Sequence, residues 1–378
     1  MYCKKISVRN FRNIPEAEVT FSEGVNILLG ENAQGKTNLL EAIFYPSVGR
    51  SFRGAHTPEM IRFGESFAEI DLNFRDAKRD QEIKVRIFRD KQRQIEKNGM
   101  KMEKLSDIVG SFRAVLFCPE HLSMIKDGPS QRRSYMDMAI SRMAPMYIHS
   151  LQKYNYLLHQ RNALIKSAYS DRSTFDATIE LWSEQLAHEA AFISEMRLKF
   201  IRRVSGYVAE CFSEMTGERE RPTVVFDGSS GQPEEEYLDR EKTKEKYYTL
   251  LTSSYDREIS AGATLWGIHK DDLDIRLNGK SARIYGSQGQ QRSLALALKL
   301  AEGEICREEF GDYPVFLFDD VLSELDGTRR EYLLHKIKDK QVILTSCEPS
   351  LLSELSDVRR IMVSDGGYTA SAEKSGDQ

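Results

Sequence analysis

The sequence predicts an α/β chain with two lobes. One is built on a mixed β-sheet with helices and an antiparallel β subdomain; the other is mostly helical. Three observations carry that expectation. An apolar run, Val25-Asn26-Ile27-Leu28-Leu29, enters a glycine-bracketed octapeptide and leaves it as a helical stretch over residues 38–44. Residues 66–97 show a period near two in Phe67/Ile70/Leu72/Phe74 and Ile83/Val85/Ile87, the signature of strands. From residue 131 to about 215 that alternation stops. There Leu186, Ile193, Met196, Phe200, Val204 and Val208 fall mostly three or four apart, the stripe of a long amphipathic helix.

The 378 residues suffice for a large core and two lobes. A formal net charge of −4 makes the chain no general magnet for polyanions, so any nucleic-acid contact needs a local basic patch. The five cysteines, Cys3, Cys118, Cys211, Cys306 and Cys347, are scattered and form no C-x-x-C pair. That pattern fits a reducing cytoplasm and speaks against a structural zinc site. The first residues enter a strand-like pattern without a signal-peptide core, and no run of about 18 apolar residues suggests a membrane span.

The octapeptide is Gly30-Glu31-Asn32-Ala33-Gln34-Gly35-Lys36-Thr37, which fits G-x-x-x-x-G-K-[ST] at every fixed position. Strand, glycine loop and helix are the context this motif requires. The two glycines let successive amide N–H groups turn inward on phosphate oxygens, and the following helix dipole faces the same anion. Lys36 supplies a point charge for the β- and γ-phosphates, and the Thr37 hydroxyl is a ligand for Mg²⁺.

Taken in order, residues 4–29 read as β structure. Phe11-Arg12-Asn13 forms the first turn, placed either beside a nucleotide base or as a plain turn. Gly49-Arg50-Ser51-Phe52-Arg53-Gly54 has the composition of a phosphate or nucleic-acid loop and equally of a solvated one. Asn98-Gly99 signals a type I′ hairpin. An apolar strand over 115–118 ends at Pro119, and Ser130 is the expected N-cap of a helix carrying Arg132 and Arg133. Thr223-Val224-Val225-Phe226 is a short strand, and 228–233 a flexible link. The sheet pattern resumes at 264–269, and Leu273/Ile275/Leu277 alternate into a second hairpin signal, Asn278-Gly279. A helix opens at 287–292, a buried strand over 315–318 ends in Asp319-Asp320, a helix spans 322–337, and a last buried strand covers 342–345. The expected division is 1–118 with 261–367 as lobe I, 119–260 as the helical lobe II, and 368–378 as a flexible tail.

The apolar strand ending in Asp319 is the expected partner of the phosphate loop, its carboxylate holding Mg²⁺ directly or through water. Asp320 is placed to orient or deprotonate an attacking water. Ser287-Gln288-Gly289-Gln290 offers a serine hydroxyl and glycine N–H groups at a helix N-terminus, a second anion site. One subunit has little use for two such loops unless the second serves the nucleotide of another subunit. The pattern therefore predicts a two-fold, head-to-tail dimer enclosing two ATP molecules.

Together with Ser323-Glu324-Leu325-Asp326, these stretches resemble the ABC-type ATPases of the SMC class, and within it the RecF family of bacterial DNA recombination and repair proteins. The resemblance covers nearly the whole chain. Its specific stretches are 30–43, 117–133, 267–272, 286–302 and 318–326. It implies an ABC-type P-loop ATPase lobe plus a mostly helical second lobe. Residues Gly30, Glu31, Asn32, Ala33, Gln34, Gly35, Lys36 and Thr37 would bind ATP and Mg²⁺. Ser287, Gly289 and Gln290 would engage the γ-phosphate of the opposite subunit. Asp319 would hold Mg²⁺, Asp320 would stand where relatives carry a catalytic glutamate, and Ser323 and Asp326 would cross the dimer seam. The family's partners would be double-stranded DNA, including single-strand/double-strand junctions, and RecO- and RecR-type proteins at gaps and stalled forks. Candidate DNA contacts are Arg50, Arg53, Arg132 and Arg133. Gln288 departs from a glycine of transporter ATPases, no histidine follows the strand at 342–345, and only Glu120 offers itself for a lid glutamine. With Asp320 in place of glutamate, these departures imply slow hydrolysis and ATP used as a switch. A transporter's nucleotide-binding subunit is the alternative, poorly served by the early hairpins and the helical insertion. A nucleotide kinase would leave 287–290 unexplained, and a chromosome-structuring coiled coil would need far more heptads.

Overall fold

A computed structural model of the chain describes residues 1–54, 56–217, 220–347 and 358–370. The chain divides into two compact units: Met1–Ser123, Glu214–Gly217 and Ala295–Gln378 form the first, Met124–Ser213 and Glu218–Leu294 the second.

The first unit begins with β1 (Tyr2–Phe11), β2 (Ile14–Thr20) and β3 (Val25–Leu29). Then come α1 (Lys36–Val48), β4 (Phe67–Arg75), β5 (Asp80–Phe88), β6 (Gln94–Lys97), β7 (Met100–Met102) and β8 (Ala114–Phe117). Short α2 (Pro119–Leu122) follows at the end of β8. In the second unit, α3 (Pro129–Met143) and α4 (Pro145–Ser167) lead into α5 (Arg172–Thr216). Next are β9 (Pro222–Asp227), α6 (Arg240–Thr252), α7 (Tyr255–Ala261), β10 (Asp272–Leu277), β11 (Lys280–Ser281) and α8 (Ala282–Tyr285). The chain closes with α9 (Gln288–Phe310), β12 (Val315–Phe318), α10 (Gly327–Ile337), β13 (Val342–Ser346), β14 (Val358–Ser364) and β15 (Gly367–Ala370).

Two six-stranded sheets organise the first unit. One is antiparallel, in the order β2-β1-β4-β5-β6-β7; the other runs β15-β14-β3-β13-β12-β8, parallel except for β15. The antiparallel sheet shows the alternation seen in the sequence: Ile70, Leu72, Phe74, Ile83, Val85 and Ile87 are all fully buried. In the parallel sheet, β3, β8, β12 and β13 are buried at every residue, as expected for strands covered on both faces. Asn98-Gly99 and Asn278-Gly279 both turn through positive φ, as a type I′ hairpin demands.

The second unit is helical around a small antiparallel sheet, β11-β10-β9. This pairing moves a boundary. The expected return to the first lobe at 261 does not occur, because β10 is laddered to β9 over Asp272–Leu277 and keeps residues 261–294 in the second unit. Three local expectations also change. Gly128, not Ser130, caps α3, with Pro129 at the first helical position, where its fixed φ is pre-organised. Residues 264–269 form no strand; side chains hold them instead, through Ser229 Oγ on the Gly267 carbonyl (2.9 Å) and Tyr154 on His269 (2.7 Å). The expected helix over 322–337 is a 3₁₀ turn, Leu322–Glu324, followed by α10, because Asp326 accepts the Arg329 N–H at 3.0 Å and restarts the helix as an N-cap. In the expected flexible tail, Tyr368 to Ala370 belong to β15, and 371–378 lie outside the described residues.

A buried charge network sits in the second unit. Arg197, 1 % exposed, donates to Asp137 (2.8 Å), Asp271 (2.9 Å) and the Ile268 carbonyl (2.7 Å). In the same unit Arg161 of α4 and Glu258 of α7, both fully buried, pair at 2.6 Å.

Candidate nucleotide-binding site

The glycine loop leaves the C-terminal end of β3 and enters α1. A Cβ on Gly30 would lie 2.2 Å from the Val363 carbonyl oxygen of β14, so neighbouring backbone excludes any larger residue. Gly35 caps α1 at φ +113, a conformation that costs an L side chain dearly. Ala33 also takes positive φ, +66. The loop is held from several sides. Asn13 donates to the Ala33 carbonyl (3.3 Å), Tyr368 OH to the Gly35 carbonyl (2.9 Å), and the Gly366 N–H to the Gln34 carbonyl (3.1 Å). Cys347 Sγ donates to Asn32 Oδ1 at 2.9 Å.

Lys36 is 7 % exposed and folds back on its own loop. Its Nζ donates to the Gly30 carbonyl (2.6 Å) and the Glu31 carbonyl (2.8 Å), and lies 3.3 Å from Cys347 Sγ. Thr37 Oγ1 donates to Asp319 Oδ1 at 2.8 Å, although the two residues stand 282 positions apart. Thr345 Oγ1 donates to the same carboxylate oxygen at 3.0 Å and accepts the Asp320 N–H at 2.9 Å. Burial raises the Asp319 carboxyl above its ordinary range, with Glu120 and Asp320 adding to the rise and the two threonine hydroxyls opposing it. Asp320 takes φ +51 and its carbonyl accepts Ser323 Oγ at 2.8 Å, which fixes the backbone at the end of β12.

Lys36, Thr37, Asp319, Asp320, Thr345 and Cys347 line one cleft of about 810 Å³. Thr37 and Asp319 form an oxygen pair suited to a hard divalent cation that takes its remaining ligands from water and phosphate. Among the described residues no group of three or more His, Cys, Asp or Glu forms a metal cage. Arg12 and Asn13 of the first turn line this cleft too; the sequence reading missed the acid that holds Arg12. Glu41 on α1 is fully buried and receives Arg12 through two bonds (2.9 and 2.7 Å), with Ser51 donating to it as well. A glutamate on the apolar face of the 38–44 stretch was the available signal.

Ser287, Gly289 and Gln290 fall in the second unit, at the start of α9. The Ser287 N–H donates to Gln290 Oε1 (2.7 Å) and the Gln290 N–H to Ser287 Oγ (3.2 Å), a reciprocal capping box. Asp326 caps α10, as described above.

Of the candidate DNA contacts, Arg50 is exposed, and Arg53 lines the cleft, donating to Asn38 Oδ1 at 3.0 Å. Arg133 is half-buried and donates to the Asp271 carbonyl at 2.8 Å. Arg132 is a correction. It is 3 % exposed, forks onto both oxygens of Asp272 (2.7 and 2.8 Å) and donates to the Asp127 carbonyl (2.6 Å), so its guanidinium has no face left for a phosphate. Arg132→Gln is expected to cost about 2 kcal/mol of stability in denaturant unfolding and to leave affinity for duplex DNA unchanged by fluorescence anisotropy. Selective loss of DNA binding at full stability would restore the phosphate role.

Residues 2–370 match the family model described as the RecF/RecN/SMC N-terminal domain. The chain is 36 % identical over 340 residues to the DNA replication and repair protein RecF of Halalkalibacterium halodurans, covering 90 % of this chain and 91 % of that protein. The chain belongs to the RecF family. Among solved structures it is similar to the recombination mediator protein RecF of the RecFOR pathway, with a TM-score of 0.92, 35 % identity and 98 % of both chains covered. A second, described as RecF-ATP in the same pathway, superposes with a TM-score of 0.88 at 35 % identity, covering 98 % of this chain and 99 % of the other. The RecF fold, an ABC-type ATPase lobe with mixed sheets and helices, is thus the fold of this chain. Membership of a family of DNA replication and repair proteins favours that reading over a transporter subunit.

Proposed function

We propose that the chain is an ATP-driven DNA-binding switch of recombinational repair, weak as an ATPase and stimulated by DNA. The observation that carries the reading is the contact between Thr37 and Asp319 inside the phosphate-loop cleft. ATP and Mg²⁺ are the ligands this cleft fits. A solved relative is described with ATP, and Thr37 and Asp319 are the oxygens that would hold the cation. When bound, Mg²⁺ neutralises charge on the phosphates and so stabilises the transferring group.

The chain's own residues do the rest. Lys36 exchanges the Gly30 and Glu31 carbonyls for phosphate oxygens. Thr345 steadies Asp319 and, through the Asp320 N–H, sets the backbone from which Asp320 orients a water. The amides of 31–37 cradle the anion. Ser287, Gly289 and Gln290 complete the site of a second copy, with Ser323 and Asp326 at the seam, so that ATP closes a head-to-tail dimer on double-stranded DNA or a junction. Slow hydrolysis reopens it, and RecO- and RecR-type proteins act alongside in the cytoplasm.

The test is sedimentation of the wild type, Asp320→Asn and Ser287→Arg, with and without ATP and duplex DNA. ATP is expected to produce dimers, DNA to strengthen them, Asp320→Asn to make them persist, and Ser287→Arg to abolish them. A chain that stays monomeric at micromolar concentration in every condition overturns the two-copy site.

A further inference from the structure

The antiparallel sheet of the first unit neutralises its cations strand by strand, and then stops. Lys4 pairs with Asp80 (3.0 Å), Lys5 with Glu18 (3.2 Å), Lys84 with Asp71 (3.4 Å) and Glu82 (3.2 Å), and Arg86 with Glu69. Beyond β5, residues 89–104 carry six cations, Arg89, Lys91, Arg93, Lys97, Lys101 and Lys104, against three acids, Asp90, Glu96 and Glu103. That excess of cations stands in a chain of net charge −4. Among the described residues no acid pairs with any of the six, and the partners they do have are neutral. Arg89 donates to the Glu65 and Arg62 carbonyls (2.7 and 3.4 Å), Arg93 to Tyr45 OH (2.9 Å) and Lys97 to Ser111 Oγ (2.7 Å), while Lys91 stands 6.0 Å from the centre of the Phe88 ring.

Lys91, Arg93, Lys101 and Lys104 are exposed. β7 is the edge strand, laddered to β6 with Lys97 opposite Met100 and Glu96 opposite Lys101. Lys91 and Arg93 lead into β6 and Lys104 follows β7, so the cations ring this hairpin. At its base Arg93 rests on Tyr45 of α1, and a Cβ on Gly49, which caps α1, would lie 2.8 Å from the Leu105 side chain. Arg93 and Lys104 therefore flank the last turn of α1. The cations also feel one another: burial first, and then the charge of Arg79, push the Lys97 ammonium below its ordinary range, with Asp76 opposing. Lysine on an edge strand can serve simply to keep sheets from pairing edge to edge. β7, however, has three residues and one lysine, and Lys91, Arg93 and Lys104 lie outside the ladder, where they guard no strand edge.

We propose that the β6–β7 edge, through Lys91, Arg93, Lys97, Lys101 and Lys104, grips the phosphates of duplex DNA without nucleotide and without a second copy of the chain. The inference rests on the DNA reading above and adds a contact that an ATP-closed dimer does not supply. All five residues lie in the first unit, and none belongs to the glycine loop or to 287–290. Phosphate contacts carry no sequence information, so this edge accepts a duplex of any sequence, and its grip weakens steeply with salt as counterions return to the DNA.

The test titrates a labelled duplex with the full chain by fluorescence anisotropy, without nucleotide and at several salt concentrations. Combining Lys91→Gln, Lys101→Gln and Lys104→Gln is expected to lower the slope of log affinity against log salt by about 2–3, at ~0.9 per phosphate contact. Combining Lys91→Arg, Lys101→Arg and Lys104→Arg is expected to keep the wild-type slope, and both variants to keep wild-type ATP affinity. A wild-type slope in the glutamine variant, an equal loss in the arginine variant, or a wild type that binds duplex only with ATP each overturn the edge. A matching loss of ATP affinity does so too, by tracing the effect to the nucleotide cleft. So does a glutamine variant that keeps its DNA slope but no longer binds a RecR-type protein, which would make the edge a protein contact. A wild type that binds no duplex with or without ATP removes the DNA reading itself.

Discussion

Lys36→Met is expected to weaken ATP binding about 100-fold, because a charge-assisted contact to phosphate contributes up to about 3 kcal/mol. The structure adds a second consequence. The ammonium donates to the Gly30 and Glu31 carbonyls of its own loop, so its removal also frees two acceptors and loosens the loop. Calorimetric titration with ATP and Mg²⁺, paired with a melting curve of the ligand-free protein, separates the two effects. The affinity loss should far exceed any loss explained by the shift in melting. An affinity within twofold of wild type would take Lys36 out of phosphate recognition.

Arg197→Met is expected to destabilise the protein by about 3–5 kcal/mol, since it strands buried carboxylates while removing their cation. The stranded group is Asp271, fully buried and bonded to Arg197 at 2.9 Å. Burial already holds the Asp271 carboxyl above its ordinary range, and Arg197 is the chief opposing influence. The sign follows from linkage. A carboxyl with a raised folded pKa is bound to its proton more tightly in the folded state, so its penalty is absent below the unfolded value and grows as pH rises through the folded one. The deficit of Arg197→Met relative to wild type should therefore shrink as pH falls from neutral towards the ordinary carboxylate range. Denaturant unfolding at several pH values measures this. A deficit below about 1 kcal/mol, or one that widens in acid, would mean that water reaches Asp271 in the variant and the network is not sealed.

Local chemistry was legible in the sequence where neighbours along the chain carry it. The octapeptide at 30–37 declares its own strand, turn and helix, and Asn98-Gly99 and Asn278-Gly279 declare their hairpins. What escaped depends on pairings across long separations. Thr345 stands in a buried strand and reads as core, until β13 is laid between β3 and β12 and its hydroxyl meets Asp319. Arg132 reads as a basic patch with Arg133, until β10 brings Asp272 to it from 140 positions away. β10 itself reads as a return to the first lobe, because period-two alternation does not name its partner strand.

The order of strands in the parallel sheet has a consequence for synthesis. β3, which carries the glycine loop, is made almost first, yet both of its neighbours, β13 and β14, are made almost last; Asn26 waits for Val342, 316 positions later. At about 5–20 residues per second a ribosome needs roughly 15–60 s to cover that distance. Throughout that interval the loop lacks the Val363 backbone behind Gly30 and the Tyr368 hydroxyl on Gly35, and for most of it the Asp319 carboxylate opposite Thr37. A chain cut short before β12 therefore never brings the Asp319 carboxylate to Thr37 or the Val363 backbone to Gly30.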